Sequence, residues 1–358
     1  GGSMMVPVGR LIVLRTTPKA GLVAALAWLT VPALVGPVMG PPLGGFITTY
    51  FDWRWIFWIN IPIAVLGLIL ATIYIPKITT EAVRAFDFLG FLLVGPGLAA
   101  FLTGVTMAGL GMASGTVMTG LTVGGMALVI AYVFHALRVE APLVDLRLLH
   151  WPTFRIAAAG GMFFRVGGGA TPFLLPLLFQ LGFGLTPFQS GMMTFASGVG
   201  AITMKFLAQP LLMRFGFRRI LIWNAVISCC FVALPATFTA STPYLVMVGT
   251  LFLGGTCRSL QFTSINAMAY ADVPSERLSS ATSFNAVLQQ LSSSIGITIA
   301  AFGLQTVQDY TGLQQIVTAT FPPVFLLMAT VSVISTFWWL KLTPESGGSL
   351  LERAPAKG

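Results

Sequence analysis

Long apolar blocks alternate with short polar breaks along almost the whole chain, and the breaks define the elements. A helix that crosses a bilayer needs roughly 20 mostly apolar residues. Ten runs meet that requirement: 21–46, 55–75, 88–110, 116–137, 156–181, 188–212, 220–240, 243–268, 281–305 and 317–340. Residues 1–15 read as the second half of an eleventh run, because Gly1 to Met5 has the composition of a helix interior rather than of a chain start. After Lys341 the chain turns polar and carries Pro344, Gly347 and Gly348, so 341–358 is expected to be a disordered tail. The predicted fold class is an all-α polytopic membrane protein.

Charge placement orients these helices. If the segment after the half-helix is cytoplasmic, the alternate loops on that side hold Arg15, Lys19, Lys77, Arg84, Arg138, Arg147, Arg155, Arg214, Arg218, Arg219, Arg277, Lys341, Arg353 and Lys357. The opposite loops hold only Arg54. That asymmetry is what the positive-inside rule demands, and the inverse topology violates it throughout. The formal charge of +9 is therefore an orientation signal, and nucleic acid is not an expected partner. Trp53, Trp55 and Trp58, on the poorly charged side, suit an interfacial aromatic belt.

Composition agrees with the membrane class. The 358 residues are 56% hydrophobic and 8% charged, far below the roughly 25% charge of a soluble domain. Cys229, Cys230 and Cys257 all lie in apolar runs and read as small packing residues. His135 and His150 sit at a helix end and in a loop, in no metal-binding pattern. No P-loop of the form G-x-x-x-x-G-K-[ST] is present. No cofactor, metal or enzymatic nucleophile is therefore expected.

The most distinctive local pattern is Gly36-Pro37-Val38-Met39-Gly40-Pro41-Pro42-Leu43-Gly44-Gly45. Gly36, Gly40 and Gly44 recur every four residues, so a helix carries them as one bare stripe against which another helix can pack closely. Residues 36–45 resemble the antiporter signature of major facilitator exporters, G-x-x-x-G-P-x-x-G-G on their fifth helix, although a more distant upstream glycine of that pattern is Ala27 here. Trp53-Arg54-Trp55-Ile56-Phe57 and Asn60-Ile61-Pro62 are similar to the fourteen-helix drug:proton antiporters of the EmrB/QacA type. So are Phe86-Asp87-Phe88-Leu89-Gly90, Pro142-Leu143-Val144-Asp145-Leu146 and Arg214-Phe215-Gly216-Phe217-Arg218-Arg219.

That resemblance runs to about residue 340 and implies a domain plan. Residues 1–75 would be the rest of an N-terminal bundle (core helices four to six). Residues 76–150 would supply two extra central helices with linkers, and 151–340 a C-terminal six-helix bundle. Gly1 would fall inside the fourth helix, with three and a half helices expected before it. The implied residues of the antiporter motif are Gly36, Gly40, Pro41, Gly44 and Gly45.

Polar residues inside apolar runs are the candidate site. Charge at membrane depth is costly and faces a partner or a wet cavity. Arg165 lies mid-run among glycines; Arg258 lies mid-run with Gln261 three residues on, a spacing that shares a helix face. Asn285 and Gln289 are four apart on the next run. The resemblance places the runs carrying Arg165 and Arg258 as the seventh and tenth core helices, which line a central cavity. Arg165, Arg258, Gln261, Asn285 and Gln289 are the expected polar groups of that cavity. Lys205 and Arg10 are expected to snorkel to an interface.

All ten acidic residues lie in loops, at helix ends or in the tail. Proton coupling needs a group that can lose its proton, which arginine cannot do. The resemblance thus implies proton-coupled export of amphiphilic drugs or toxic small molecules across a bacterial inner membrane, with the coupling residue outside this sequence. Its expected partners are the substrate, protons, lipid and a periplasmic adaptor protein. The alternatives are export of a metabolite or organic anion, mildly favoured by two buried arginines, and a non-transporting truncated remnant.

Overall fold

The computed structural model describes residues 36, 38–74, 86–110, 115–140, 142–274, 277–313 and 315–347. Most of the 21–46 run, the half-run 1–15 and Arg10 lie outside the described residues. What is described of the first run is a helix over 38–50, named α1 here. Nine further helices among the described residues are long and apolar enough to cross a membrane. They are α2 (Trp55–Tyr74), α3 (Phe88–Leu110), α4 (Gly115–Arg138), α5 (Pro152–Gly182), α6 (Pro187–Phe215), α7 (Phe217–Thr237), α8 (Tyr244–Tyr270), α9 (Leu278–Thr311) and α10 (Thr318–Trp339).

Boundaries follow local chemistry. Thr186 caps α6 by accepting from the Gln189 N–H at 3.2 Å, and the Gln189 side chain accepts from the Thr186 N–H at 2.9 Å. This is a capping box, with Pro187 pre-set for the first turn. The α9 helix ends where Gly312 adopts φ +69°. At 34 residues it is about 51 Å long, which exceeds the hydrocarbon core. The run 281–305 underestimates it because its ends are polar enough to leave the bilayer yet remain helical. In α5, Pro176 interrupts the hydrogen-bond ladder and a π turn follows at Leu178–Gly182.

Helices α3 and α4 pair through small residues: a Cβ at Gly97 would lie 2.9 Å from the Leu128 Cβ. The pair touches α9, where the Thr106 and Thr298 hydroxyls meet at 3.1 Å. Asp87 ties its polar end together by accepting from His135 Nε2 at 2.8 Å and from the Gly90 and Leu143 N–H groups at 2.8 and 3.3 Å. Burial raises the affinity of Asp87 for its proton, but these donors outweigh that and hold the carboxyl below the ordinary carboxylate range. Asp145 continues the polar layer to Arg277 at 3.2 Å.

Helices α5 to α10 form the bundle, with α5 against α8, α9 and α10. Its core has two apolar clusters. One, around Phe154, Leu221, Ile265 and Trp339, includes the linker residues Val144 and Leu148. The other is built on Leu174, Phe179, Met193 and Phe325. Residues 341–347 correct the expectation of a disordered tail from 341 onward. Leu342 is buried in the first cluster, and a Cβ on Gly347 would lie 2.8 Å from Phe217 Cδ2. An apolar leucine beside the last helix gains more from burial than from release into water. Residues 348–358 lie outside the described residues.

Candidate functional site

Arg165 sits where the two apolar clusters meet: Phe164 belongs to one and Val166 to the other. Glycines let neighbouring backbones close around it. A Cβ at Gly167 would collide with the Ser332 side chain and the Met328 carbonyl of α10, and one at Gly296 with the Val166 carbonyl. The guanidinium is 0% exposed. Its Nη2 donates to Asn266 Oδ1 on α8 at 2.9 Å. Asn285 Nδ2, on α9, donates to that same oxygen at 3.1 Å and to the Tyr270 hydroxyl at 3.2 Å. The Phe262 ring lies 5.9 Å from the guanidinium carbon. Nε and Nη1 have no hydrogen-bond partner. The ion pairs among the described residues join Arg54 to Asp52, His135 to Asp87 and Arg277 to Asp145, so no carboxylate balances Arg165. The cluster is a cation with two free N–H directions, framed by two amides and a phenol. It can hold an acceptor-rich group of a ligand.

Two members of this cluster escaped the sequence reading. Asn266 and Tyr270 follow Phe262 at four-residue steps on α8, so 262, 266 and 270 form one stripe. The signal was a polar residue in an apolar run, but Gln261, next to Phe262, points elsewhere. Gln261 Nε2 donates to the Leu221 carbonyl at 3.0 Å, and Gln261 Oε1 accepts from Asn224 Nδ2 at 2.8 Å. Asn224 also donates to the Cys257 carbonyl at 2.8 Å. Gln261 thus joins α8 to α7, whereas the sequence reading put it on one face with Arg258. Arg258 Nη2 turns to α6 and donates to Ser197 Oγ at 3.1 Å. Gln289 is exposed on α9. Of the five expected cavity residues, the structure brings together Arg165 and Asn285. Lys205 reaches Thr263 Oγ1 on α8 at 2.8 Å, a defined interhelical contact where snorkelling was expected.

The glycine motif also differs from its reading. Helix α1 packs on α6, but Gly36, Gly40 and Gly44 have nothing within 4 Å among the described residues. The close approach is made by Gly45, where a Cβ would lie 2.9 Å from Phe188 Cα, and by Gly191 of α6, where one would strike the Pro41 carbonyl. A Cβ at Gly198 would lie 2.9 Å from both Val38 methyls. The Phe188 N–H donates to Thr49 Oγ1 at 3.2 Å and closes the junction. The every-fourth-residue stripe therefore faces away from α6, while Gly45, one position on, faces it. Pro41 takes part through its carbonyl.

Comparison with known proteins follows the same helices. The family model described as Major Facilitator Superfamily matches residues 1–139 and 157–357. A relative from Escherichia coli O127:H6 carrying the name multidrug resistance protein MdtD is 36% identical over 354 residues, covering 97% of this chain and 74% of the relative. One of the same name from Salmonella paratyphi A is 37% identical over 307 residues, covering 84% of this chain and 64% of the relative.

Proposed function

The chain belongs to the major facilitator superfamily, and from that premise we propose that it serves proton-coupled export of amphiphilic drugs or toxic small molecules across the bacterial inner membrane, with Arg165 at the polar centre of the substrate path. As a member of that family it is a multi-pass membrane transporter and not an enzyme. Kinship to proteins named for multidrug resistance supports the drug class.

The observation that carries the role of Arg165 is its burial, among the described residues, without a carboxylate and with two unpartnered N–H groups. A charge at that depth is retained where it meets a ligand or a wet cavity. Asn266, Asn285 and Tyr270 orient it, and rocking of the α5–α10 bundle as a unit against the N-terminal helices about a midplane site would open it to alternate sides. Among the described residues acids lie in loops or near helix ends. This reading therefore assigns the proton-binding carboxylate to the part of the relatives' length that the chain does not span. A periplasmic adaptor belongs to the same proposal.

The same unpaired guanidinium favours a second reading, export of an organic anion, since a cation-selective pocket would use buried acids. Proteoliposomes of the protein at the full length of its relatives, under an imposed pH gradient and offered cationic, neutral and anionic amphiphiles, decide between them. Gradient-driven movement of cationic and neutral compounds, lost in Arg165→Gln, supports drug export. Movement of anions alone supports the second reading. Movement of none in a folded, inserted protein would sink both.

A further inference from the structure

A second polar pocket lies in the bundle, apart from the Arg165 cluster. It is a cavity of about 30 Å³ lined from four helices, with Thr171 on α5, Ser197 on α6, Ser228 on α7 and Arg258 on α8. Phe231 and Leu251 are among the apolar side chains that close it. A drug-sized ligand needs roughly 300 Å³ or more, so this is no substrate cavity. A water-sized sphere needs on the order of 10–15 Å³, so there is room for a monatomic ion beside a water.

The lining is donor-rich and lacks any acid. Arg258 donates one N–H to Ser197 Oγ, at 3.1 Å. Ser197 accepts that bond, which leaves its hydroxyl hydrogen free to turn inward. Ser228 is 3% exposed and its hydroxyl has no partner. The Thr171 hydroxyl is likewise buried and unpartnered. Orphaned buried hydroxyls are rare in native proteins and ask for a ligand. Water alone would satisfy the hydroxyls but leave a full positive charge uncompensated at membrane depth, which is costly. A small anion in the cavity that these four groups line would answer them together. It accepts from the guanidinium and three hydroxyls, and its charge cancels that of Arg258.

We propose that Arg258, Ser197, Ser228 and Thr171 form a site within the bundle for a monovalent halide, chloride in the cell, that locks α5, α6, α7 and α8 together. The site is separate from the substrate path and does not depend on the Arg165 reading.

The test is thermal unfolding of the full chain in detergent, titrated with chloride against gluconate at constant ionic strength. Chloride should raise the midpoint saturably and gluconate should not, because a ligand of the folded state stabilises it by mass action. Arg258→Gln should weaken the apparent chloride affinity by at least about tenfold, and Ser228→Ala by about tenfold, as expected for bonds to a charged group. Equal midpoints in the two salts, or an unchanged chloride response in a folded Arg258→Gln protein, would overturn the site. Should that variant not fold, a structure of the unmodified protein in bromide decides. Anomalous scattering beside Arg258 and Ser228 Oγ supports the proposal, and a cavity holding only water refutes it.

Discussion

Arg165 on α5 and Asn285 on α9 donate to one oxygen, Asn266 Oδ1, at 2.9 and 3.1 Å. Two donors on one acceptor leave that amide with no spare capacity on its oxygen. The arrangement orients the guanidinium without neutralising it, because an amide carries no charge. Among the described residues no acid matches this arginine; an amide dipole holds it, and Nε and Nη1 have no hydrogen-bond partner.

Arg165→Met should separate stability from transport. The substitution removes an unpaired buried charge and keeps much of the length. Replacing buried ionic groups with apolar ones is often neutral or stabilising by about 1–4 kcal/mol. The thermal midpoint in detergent should hold or rise, while export falls at least tenfold. A clear drop in midpoint with export intact would make Arg165 a packing residue.

Asn266→Ala should cost more than Asn285→Ala. The first strips a partner from both Arg165 and Asn285, about 2–3 kcal/mol. The second leaves Arg165 bonded to Asn266 and removes a neutral pair, about 1 kcal/mol. Unfolding of the two single variants and the double variant measures the coupling, expected at about 0.5–3 kcal/mol. The opposite ranking would contradict the shared-oxygen geometry.

Gly45→Val and Gly191→Val should disrupt the seat of α1 on α6, each destabilising by roughly 1–3 kcal/mol through overpacking. Gly40→Leu should be far milder, since a Cβ there meets nothing within 4 Å among the described residues. Crosslinking between cysteines placed on α1 and α6 reads the seat directly. A stronger effect at Gly40 than at Gly45 would reverse the assignment of faces.

Asn224→Ala should destabilise by about 1–3 kcal/mol, because it leaves the buried Gln261 Oε1 and the Cys257 carbonyl without their donor. Export per folded molecule should be unchanged. Midpoint and initial rate, measured on one preparation, test both halves. A selective loss of rate would bring Gln261 back to the substrate path.

The Asp87 carboxyl, held below the ordinary carboxylate range by His135 and two N–H groups, contributes stability only while ionised. For a lowered pKa that contribution is present above the unfolded value and vanishes as pH falls through the folded one. The midpoint of the unmodified protein should therefore exceed that of Asp87→Asn at neutral pH. The gap should close only as the pH falls through and below the ordinary carboxylate range. A gap that persists there would show that the anion is not what holds the α3–α4 end.

The nine described spans were legible because each is a local property: a run of apolar residues long enough to cross a bilayer reads the same whatever it packs against. The family was legible for a related reason, since its motifs are contiguous. Gly45 was quoted within the motif, yet the stripe of Gly36, Gly40 and Gly44 drew the packing argument because its period is regular. The mean hydropathy that marks α8 as a span cannot say which way Arg258, Gln261 or Asn266 turns. Their partners come from α6, α7 and from α5 with α9, far away in sequence.

Apolar length along the chain determined by itself that it crosses the membrane many times. Only the tertiary structure decided that Arg165 meets Asn285 through Asn266, that Gln261 leaves Arg258 for Asn224, and that, among the described residues, Gly45 rather than Gly40 bears the contact with α6. The physical reason is that insertion depends on the summed transfer energy of about 20 consecutive residues, whereas a hydrogen bond between helices depends on the rotation of each helix about its axis. One residue step turns a side chain by about 100°, so neighbours such as Gly44 and Gly45 serve different partners. That rotation is set by packing against the rest of the bundle.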